Sequence, residues 1–281
     1  MSLLLKTGLV ILLVYFVYLG FIYFIQRTFI YPGRTISSRE YNVDWIKPEQ
    51  VHWLETDYGK TETWYIQTDT TGNSTNRPVV IMAHGNYELI DFCQPEVQGF
   101  LQLGADFLLV EFPGFGRSKG ETTQKSITAA FVAAYDWLIE QQGKKEDQII
   151  GYGRSLGGGA ICALANERSL KGLILQSTFT SIRSFAGRFL APSFLVKDKF
   201  DNEAVLRAYK KPVLIFHGRQ DFVIPYTHGE QLGKTALRGT FIGYDCDHNN
   251  CPPDWVVHWK TIGNFINELN SGPSNTTSKI D

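Results

Sequence analysis

Runs of basic residues are missing from this sequence. Its 27 lysines and arginines nearly balance 28 aspartates and glutamates, which leaves a formal charge of −1. A chain so close to neutral, with no cationic stretch, has no electrostatic footprint for nucleic acid. No internal repeat is present, so repeat architectures drop out. Cysteine is scarce, with four in 281 residues. Cys93 and Cys162 stand alone; Cys246 and Cys251 are close enough to form a disulfide on an oxidising side or to remain thiols, so the compartment stays open. Cys246, His248 and Cys251 are three potential ligands with no second cluster, a poor basis for a metal site. The pattern G-x-x-x-x-G-K-S/T is also absent. "VEFPGFGRSKGE" therefore reads as a loop taking Gly114 and Gly116 through tight turns, not as a phosphate cradle.

Long apolar runs, in contrast, are present. Thr7 to Ile25 is "TGLVILLVYFVYLGFIYFI", 19 residues without a charge, bracketed by Lys6 and Arg27. As a helix it would be about 28 Å long, close to the hydrocarbon thickness of a bilayer. Apolar residues cover every face, which argues against a half-buried soluble helix. No small-x-small cleavage site follows, which argues against a secretory signal peptide. The run reads as one membrane anchor. Lys6 lies on one side, and Arg27, Arg34 and Arg39 on the other, so the positive-inside count leans toward a cytoplasmic body without fixing it.

The expected organisation is an anchor over residues 1–27, a juxtamembrane connection over 28–50, a folded domain over 51–270 and a disordered tail over 271–281. "NST" at Asn73 and "NTT" at Asn275 match the glycosylation acceptor pattern, a common chance match. In the body, "VHWLET" and "ETWYIQT" alternate like a hairpin around "DYGK", and "TTGNSTN" is a polar turn. Five buried-strand runs follow: "PVVIMAHG", "ADFLLVEF", "QIIGYG", "GLILQS" and "PVLIFHG". Helical spacing separates them, most clearly in "SITAAFVAAYDWLIEQQ", where Ile127, Phe131, Ala134 and Leu138 share a face. "GGAICALANE" and "DWVVHWKTIGNFINEL" are further helices. Strands alternating with helices imply an α/β domain with a mostly parallel central sheet covered on both faces.

The most informative stretch is "IIGYGRSLGGGAICALA". Gly153-Arg154-Ser155-Leu156-Gly157 is a G-x-S-x-G between a strand and a small-residue helix. A chain that leaves a strand and enters a helix in one sharp turn holds its serine in a strained conformation, and glycines remove the side chains that would collide there. The hydroxyl then projects above the sheet, over the helix N-terminus. A serine needs a base to become a nucleophile. In enzymes built on this turn the chain order is serine, acid, histidine. Asp221, just beyond "PVLIFHG", fits the acid, with Asp245 and Asp247 as competitors. His248, after the short strand in "GTFIGYDCDHNN", fits the base. His258 reads as structural or exposed, and His217 as bonded to backbone. Oxyanion donors are expected from the N–H of Leu156 and of Asn86 in "MAHGNYELIDF". There His84 is a loop brace, and Tyr87 lines the pocket or packs.

These motifs resemble the α/β-hydrolases. "GYGRSLGGG", "HGN" at His84, "FPGFGRSKG", "HGRQDFVIP" and "DCDHNN" occur in that family's order over roughly residues 50 to 270. The resemblance is greatest to its α/β-hydrolase domain-containing branch, many members of which carry an N-terminal anchor and almost no cap. Here "FAGRFLAPSFLVKDKFDNEAVL" has room for one or two helices. Glu111 and Pro113 depart from the family's usual Asp and Tyr or Arg, which leaves the packing of that loop open. The resemblance implies a serine hydrolase without metal or cofactor, acting on acyl esters or thioesters. Membrane lipid would be a partner through the N-terminal helix; no oligomeric state is implied. A serine peptidase of the same fold and a catalytically silent membrane-bound module are the competing readings.

Overall fold

The computed structural model describes residues 2–36, 43–68 and 77–271. The polar turn before Arg77, both acceptor tripeptides, Arg39 and the tail after Ser271 lie outside the described residues.

Eight strands form one sheet: β1 (Val51–Thr56), β2 (Gly59–Ile66), β3 (Val79–Ala83), β4 (Asp106–Val110), β5 (Ile149–Arg154), β6 (Gly172–Gln176), β7 (Val213–Gly218) and β8 (Gly239–Tyr244). Their order is β1-β2-β4-β3-β5-β6-β7-β8. β1 and β2 are antiparallel to their neighbours, and β3 through β8 run parallel to one another. The hairpin pairs Thr56 with Gly59, so only Asp57 and Tyr58 make the turn and β2 starts three residues before the expected "ETWYIQT".

Side-chain alternation builds the two covered faces. Val79, Ile81 and Ala83 of β3 join Leu173 and Leu175 of β6 and Val213 and Ile215 of β7 on one face. Val80, Met82, Ile174, Leu214 and Phe216 point to the other. Strands buried on both faces read as unbroken apolar runs, which is why they were legible. Helices α3 (Gln124–Glu140) and α4 (Leu156–Glu167) cover the first face, with α5 (Asn202–Ala208) and α6 (Thr227–Thr235) beside them. Ile127, Phe131, Ala134 and Leu138 of α3 are wholly buried there. α2 (Gln94–Gln102) and α7 (Trp255–Ser271) cover the second face. α7 takes up Ser271, the first residue of the expected tail.

The N-terminal helix α1 (Leu3–Ile30) has 28 residues, mean hydropathy 2.5 in its most apolar window, and the length and composition to cross a membrane. It runs three residues past the expected anchor. Just beyond it the chain meets the body. Tyr31 is wholly buried, and the Gly33 N–H donates to the Asn86 carbonyl at 2.9 Å. The segment between β6 and β7 forms two 3-10 turns, Ile182–Phe189 and Ser193–Leu195, and then α5, a small cover instead of a lid domain.

Candidate active site

Ser155 stands between β5 and α4 with φ 54° and ψ −117°, a region L-residues rarely enter. Its N–H donates to the Gln176 carbonyl at 2.9 Å, which pins the turn to β6. The flanking glycines are required by close approach. A Cβ on Gly153 would press into the Gly157 backbone, and one on Gly157 into the Ala83 and His84 carbonyls. Ser155 occupies the N-cap of α4, so the Leu156 N–H opens the helix before any intrahelical acceptor is in reach.

Two loops converge on the serine. From the loop after β8, His248 places Nε2 3.1 Å from Ser155 Oγ. Its Nδ1 lies 2.6 Å from Asp221 Oδ2, on the loop after β7. The other Asp221 oxygen accepts the N–H groups of Val223 at 2.9 Å and Ile224 at 2.7 Å. His217 Nε2 lies 2.8 Å from the Ile224 carbonyl and 3.3 Å from Asp221 Oδ2, so its N–H is shared between them. Burial works against the Asp221 charge, but the hydrogen bonds from His217, His248 and the Ile224 N–H hold its carboxyl well below the usual carboxylate range. The Asp221 carboxylate is therefore present at neutral pH, and its stabilising contribution fades only as acid protonates it. Among the expected acids, the fold brings Asp221 to His248. Asp245 is exposed, 3.6 Å from Arg219. Asp247 instead shapes the loop, accepting the Asn249 and Asn250 N–H groups, each at 2.9 Å.

The His248 loop is fastened at both ends. Cys246 and Cys251 are joined as a disulfide with their Cα atoms 5.3 Å apart. The Gln176 amide donates to the Cys251 carbonyl at 3.1 Å and accepts from the Tyr152 hydroxyl at 2.7 Å. Gln176 thus holds both the serine turn and the histidine loop, a role no motif announced.

The Asn86 loop is braced as expected of His84, but through a partner that sequence reading did not supply. The fully buried His84 places Nε2 2.7 Å from Glu111 Oε1, and Glu111 also accepts the N–H groups of Ile90 at 3.2 Å and Phe112 at 2.9 Å. The departure from the family pattern at Glu111 is thus the anchor of this loop. Burial disfavours the His84 imidazolium, and the Glu111 carboxylate more than offsets it, so the ring's pKa is raised. Behind the serine, Arg154 bridges Glu88 at 2.8 Å and Glu96 at 2.6 Å. His258, placed as structural or exposed, is buried at 1% exposure.

A cavity of about 360 Å³ opens at Ser155, with Leu156 and Asn86 in its wall. Phe179, Phe185, Ile224 and Leu195 supply apolar surface, and α1 contributes Leu19, Ile22, Tyr23, Gln26, Phe29 and Ile30. Tyr87 is not in this wall and is 63% exposed. An apolar hollow around a hydrogen-bonded Ser–His–Asp row is suited to nucleophilic attack on the carbonyl of a hydrophobic substrate.

Comparison with known proteins gives the same fold. Residues 78–204 match the family described as the alpha/beta hydrolase fold. The chain is 26% identical over 235 residues to the protein YfhR of Escherichia coli strain K12, covering 80% of this chain and 81% of that one. It is 27% identical over 242 residues to the alpha/beta hydrolase domain-containing protein WAV2 of Arabidopsis thaliana, covering 76% and 77%. Among solved structures it resembles the esterase Pf2001 of Pyrococcus furiosus, with a TM-score of 0.65 and 18% identity over 81% of this chain and 95% of that one. Sheet order, serine turn and family match agree on the α/β-hydrolase fold, and the matches support the α/β-hydrolase superfamily.

Proposed function

We propose that this protein is a membrane-anchored serine hydrolase that cleaves carboxylic esters or thioesters of acyl, lipid-like substrates. The observation that carries the reading is the His248 imidazole, hydrogen-bonded to Ser155 Oγ at 3.1 Å and to Asp221 at 2.6 Å beside an apolar cavity. His248 takes the hydroxyl proton as Ser155 Oγ attacks the carbonyl carbon. Asp221 holds the tautomer and stabilises the imidazolium. The N–H groups of Leu156 and Asn86 face the developing oxyanion. His248 then returns its proton to the leaving alcohol or thiol, and water attacks the acyl-serine by the same route. The chemistry uses no metal or cofactor. The Pyrococcus protein that the fold resembles is an esterase, which supports ester substrates.

In this reading residues 1–27 are the anchor, 28–50 the connection and 51–270 the catalytic domain. The length and composition of α1 support membrane attachment. A panel of p-nitrophenyl esters, acyl thioesters and aminoacyl anilides, run on the full chain and on Ser155→Ala, tests the proposal. Ester or thioester turnover that is lost with Ser155 is expected. Preferential anilide cleavage would make it a peptidase, and turnover untouched by Ser155→Ala would overturn the serine mechanism.

A further inference from the structure

α1 does more than a tether requires. A helix that only holds a domain to a membrane has no reason to dedicate one face to that domain's cavity. Here Leu19, Ile22, Tyr23, Gln26, Phe29 and Ile30 all line the hollow that contains Ser155. Their spacings of three, one, three, three and one residues trace a single helical stripe. The neighbours Phe21 and Phe24 point away, 60% and 78% exposed.

The depth of this contact can be measured along the helix. The Tyr15 and Tyr18 hydroxyls donate to the carbonyls of Leu190 and Phe189, each at 2.7 Å. Tyr15 lies ten residues before Ile25, the last of the uncharged run, which is about 15 Å of helix. Charges begin just beyond that end. Arg27 bridges Asp198 at 2.8 Å and Glu121 at 2.5 Å, and Gln26 accepts the Lys197 N–H at 2.8 Å. If the charged ring marks the lipid–water boundary, Phe189 and Leu190 lie about halfway into a hydrocarbon core of about 30 Å.

The surface there suits such a position. Leu190 and Phe194 are 75% and 77% exposed, and large apolar side chains along α1 such as Phe16 and Val17 are exposed too, at 60% and 65%. Backbone carbonyls of an irregular segment are costly in hydrocarbon unless they find donors. The two tyrosine hydroxyls supply donors to two of them, which also gives partners to polar groups otherwise stranded in the middle of an apolar run. The cavity matches its outer surface. Gln26, the polar α1 residue in the wall, spends its amide on the Tyr23 and Leu195 carbonyls and the Lys197 N–H. Among the lining residues Arg188 alone carries a charge, and it is exposed and donates to the Val223 carbonyl at 3.1 Å.

We propose that α1 and residues 182–196 together form a membrane-immersed vestibule, through which one acyl chain of a bilayer amphiphile passes sideways from the leaflet to Ser155. This rests on the hydrolase reading above and adds to it the route and the substrate class. The substrate is an ester or thioester with a single long chain that fills the α1-lined hollow, its polar part held near the charged ring of Arg27, Asp198 and Glu121.

The test uses the full chain in phosphatidylcholine vesicles, with Ile22→Trp on the cavity face of α1 and Phe21→Trp on the lipid face as its matched control. Hydrolysis of p-nitrophenyl palmitate and p-nitrophenyl butyrate gives a chain-length ratio of kcat/KM. Ile22→Trp is expected to lower that ratio at least tenfold, while Phe21→Trp keeps it. Equal ratios in both variants, in a protein whose Ser155 still reacts with a fluorophosphonate, would overturn the vestibule alone. Failure of wild-type Ser155 to react would instead overturn the hydrolase reading. Immersion has its own readout. In vesicles of phosphatidylcholine brominated on its chains, the added emission of Phe194→Trp is expected to be quenched. That of Leu237→Trp, at the opposite sheet edge before β8, is expected to be untouched. Equal quenching, or none at position 194, contradicts the proposal whatever the activity.

Discussion

Two regions of this molecule meet at Ser155 and are built on opposite principles. Above the sheet edge, positions are set by backbone crowding and directed hydrogen bonds. Ser155 sits at φ 54°, Gly157 cannot carry a Cβ, and Asp221 accepts from two backbone N–H groups and two histidines. Across the cavity, the wall made by α1 and residues 182–196 is mostly aliphatic and aromatic, with Gln26 and Arg188 as its polar members. Hydrogen-bonded sites fail when one atom is removed, because the partner left behind is buried and unpaired. Apolar walls lose only contact area and tolerate exchange among residues of similar volume. The same contrast decides what sequence can reveal and how steeply each region responds to mutation.

The largest effects belong to the directed side. Asp221→Asn preserves shape but removes the acceptor that fixes the His248 tautomer, and kcat on a short ester should fall by about 10⁴-fold. An unchanged kcat would remove Asp221 from the mechanism. Next comes the turn itself. Gly157→Ala forces a methyl group into the Ala83 carbonyl, and thermal unfolding should show a loss of about 3 kcal/mol. A variant as stable as wild type would mean the crowding is not real.

The buried His258 should match that loss in size but appear only in acid. Its ring packs against Phe216 and Trp255, and burial pushes its pKa down to about 4. An unfolded chain protonates this histidine below about pH 6.5, so between pH 6.5 and 4 the unfolded state binds the extra proton and stability falls as pH falls. The contribution approaches about 3 kcal/mol at pH 4. Denaturant midpoints across that window should be flatter for His258→Phe than for wild type. Parallel curves would contradict the account.

A smaller effect is expected from the disulfide. It closes the short loop that carries His248, and Gln176 and Asp247 hold that loop as well. The double variant Cys246→Ala, Cys251→Ala should lose about tenfold in kcat, a loosened base of the kind small misplacements produce. A loss as large as that of Asp221→Asn would put the disulfide, not the hydrogen bonds, in charge of the loop. The smallest change belongs to the wall. Leu195→Met should alter KM for a long-chain ester by about threefold or less, in keeping with a volume-conserving apolar exchange. A tenfold effect would show that the wall is as exacting as the sheet edge.

Most of the directed side was legible in the sequence. The serine turn announced itself because strand, glycines and helix must occur together for the backbone to close. The strands were visible as apolar runs because both faces of the sheet are covered. Asp221 and His248 were singled out by their position after strand ends, where such sheets place their sites, and the fold brings them within hydrogen-bond distance of each other. The Glu111 partner of His84 was not legible, since a glutamate after a strand reads as ordinary until the fold brings it to 2.7 Å from the ring. Tyr87 was misplaced because an aromatic next to a site residue does not state which way it faces. The part of the wall supplied by α1 was least legible. An apolar run long enough to span a bilayer looks the same whether its side chains meet lipid or a cavity, and the partners of Tyr15 and Tyr18 lie more than 170 residues away.

The central claim is that Ser155 forms the covalent bond. Treatment of the full chain with a fluorophosphonate, followed by mass spectrometry of its peptides, tests this directly. The account predicts one adduct, on the peptide carrying Ser155, absent in Ser155→Ala and strongly slowed in His248→Ala. An adduct confined to another serine, or ester turnover in Ser155→Ala at the wild-type rate, would contradict it.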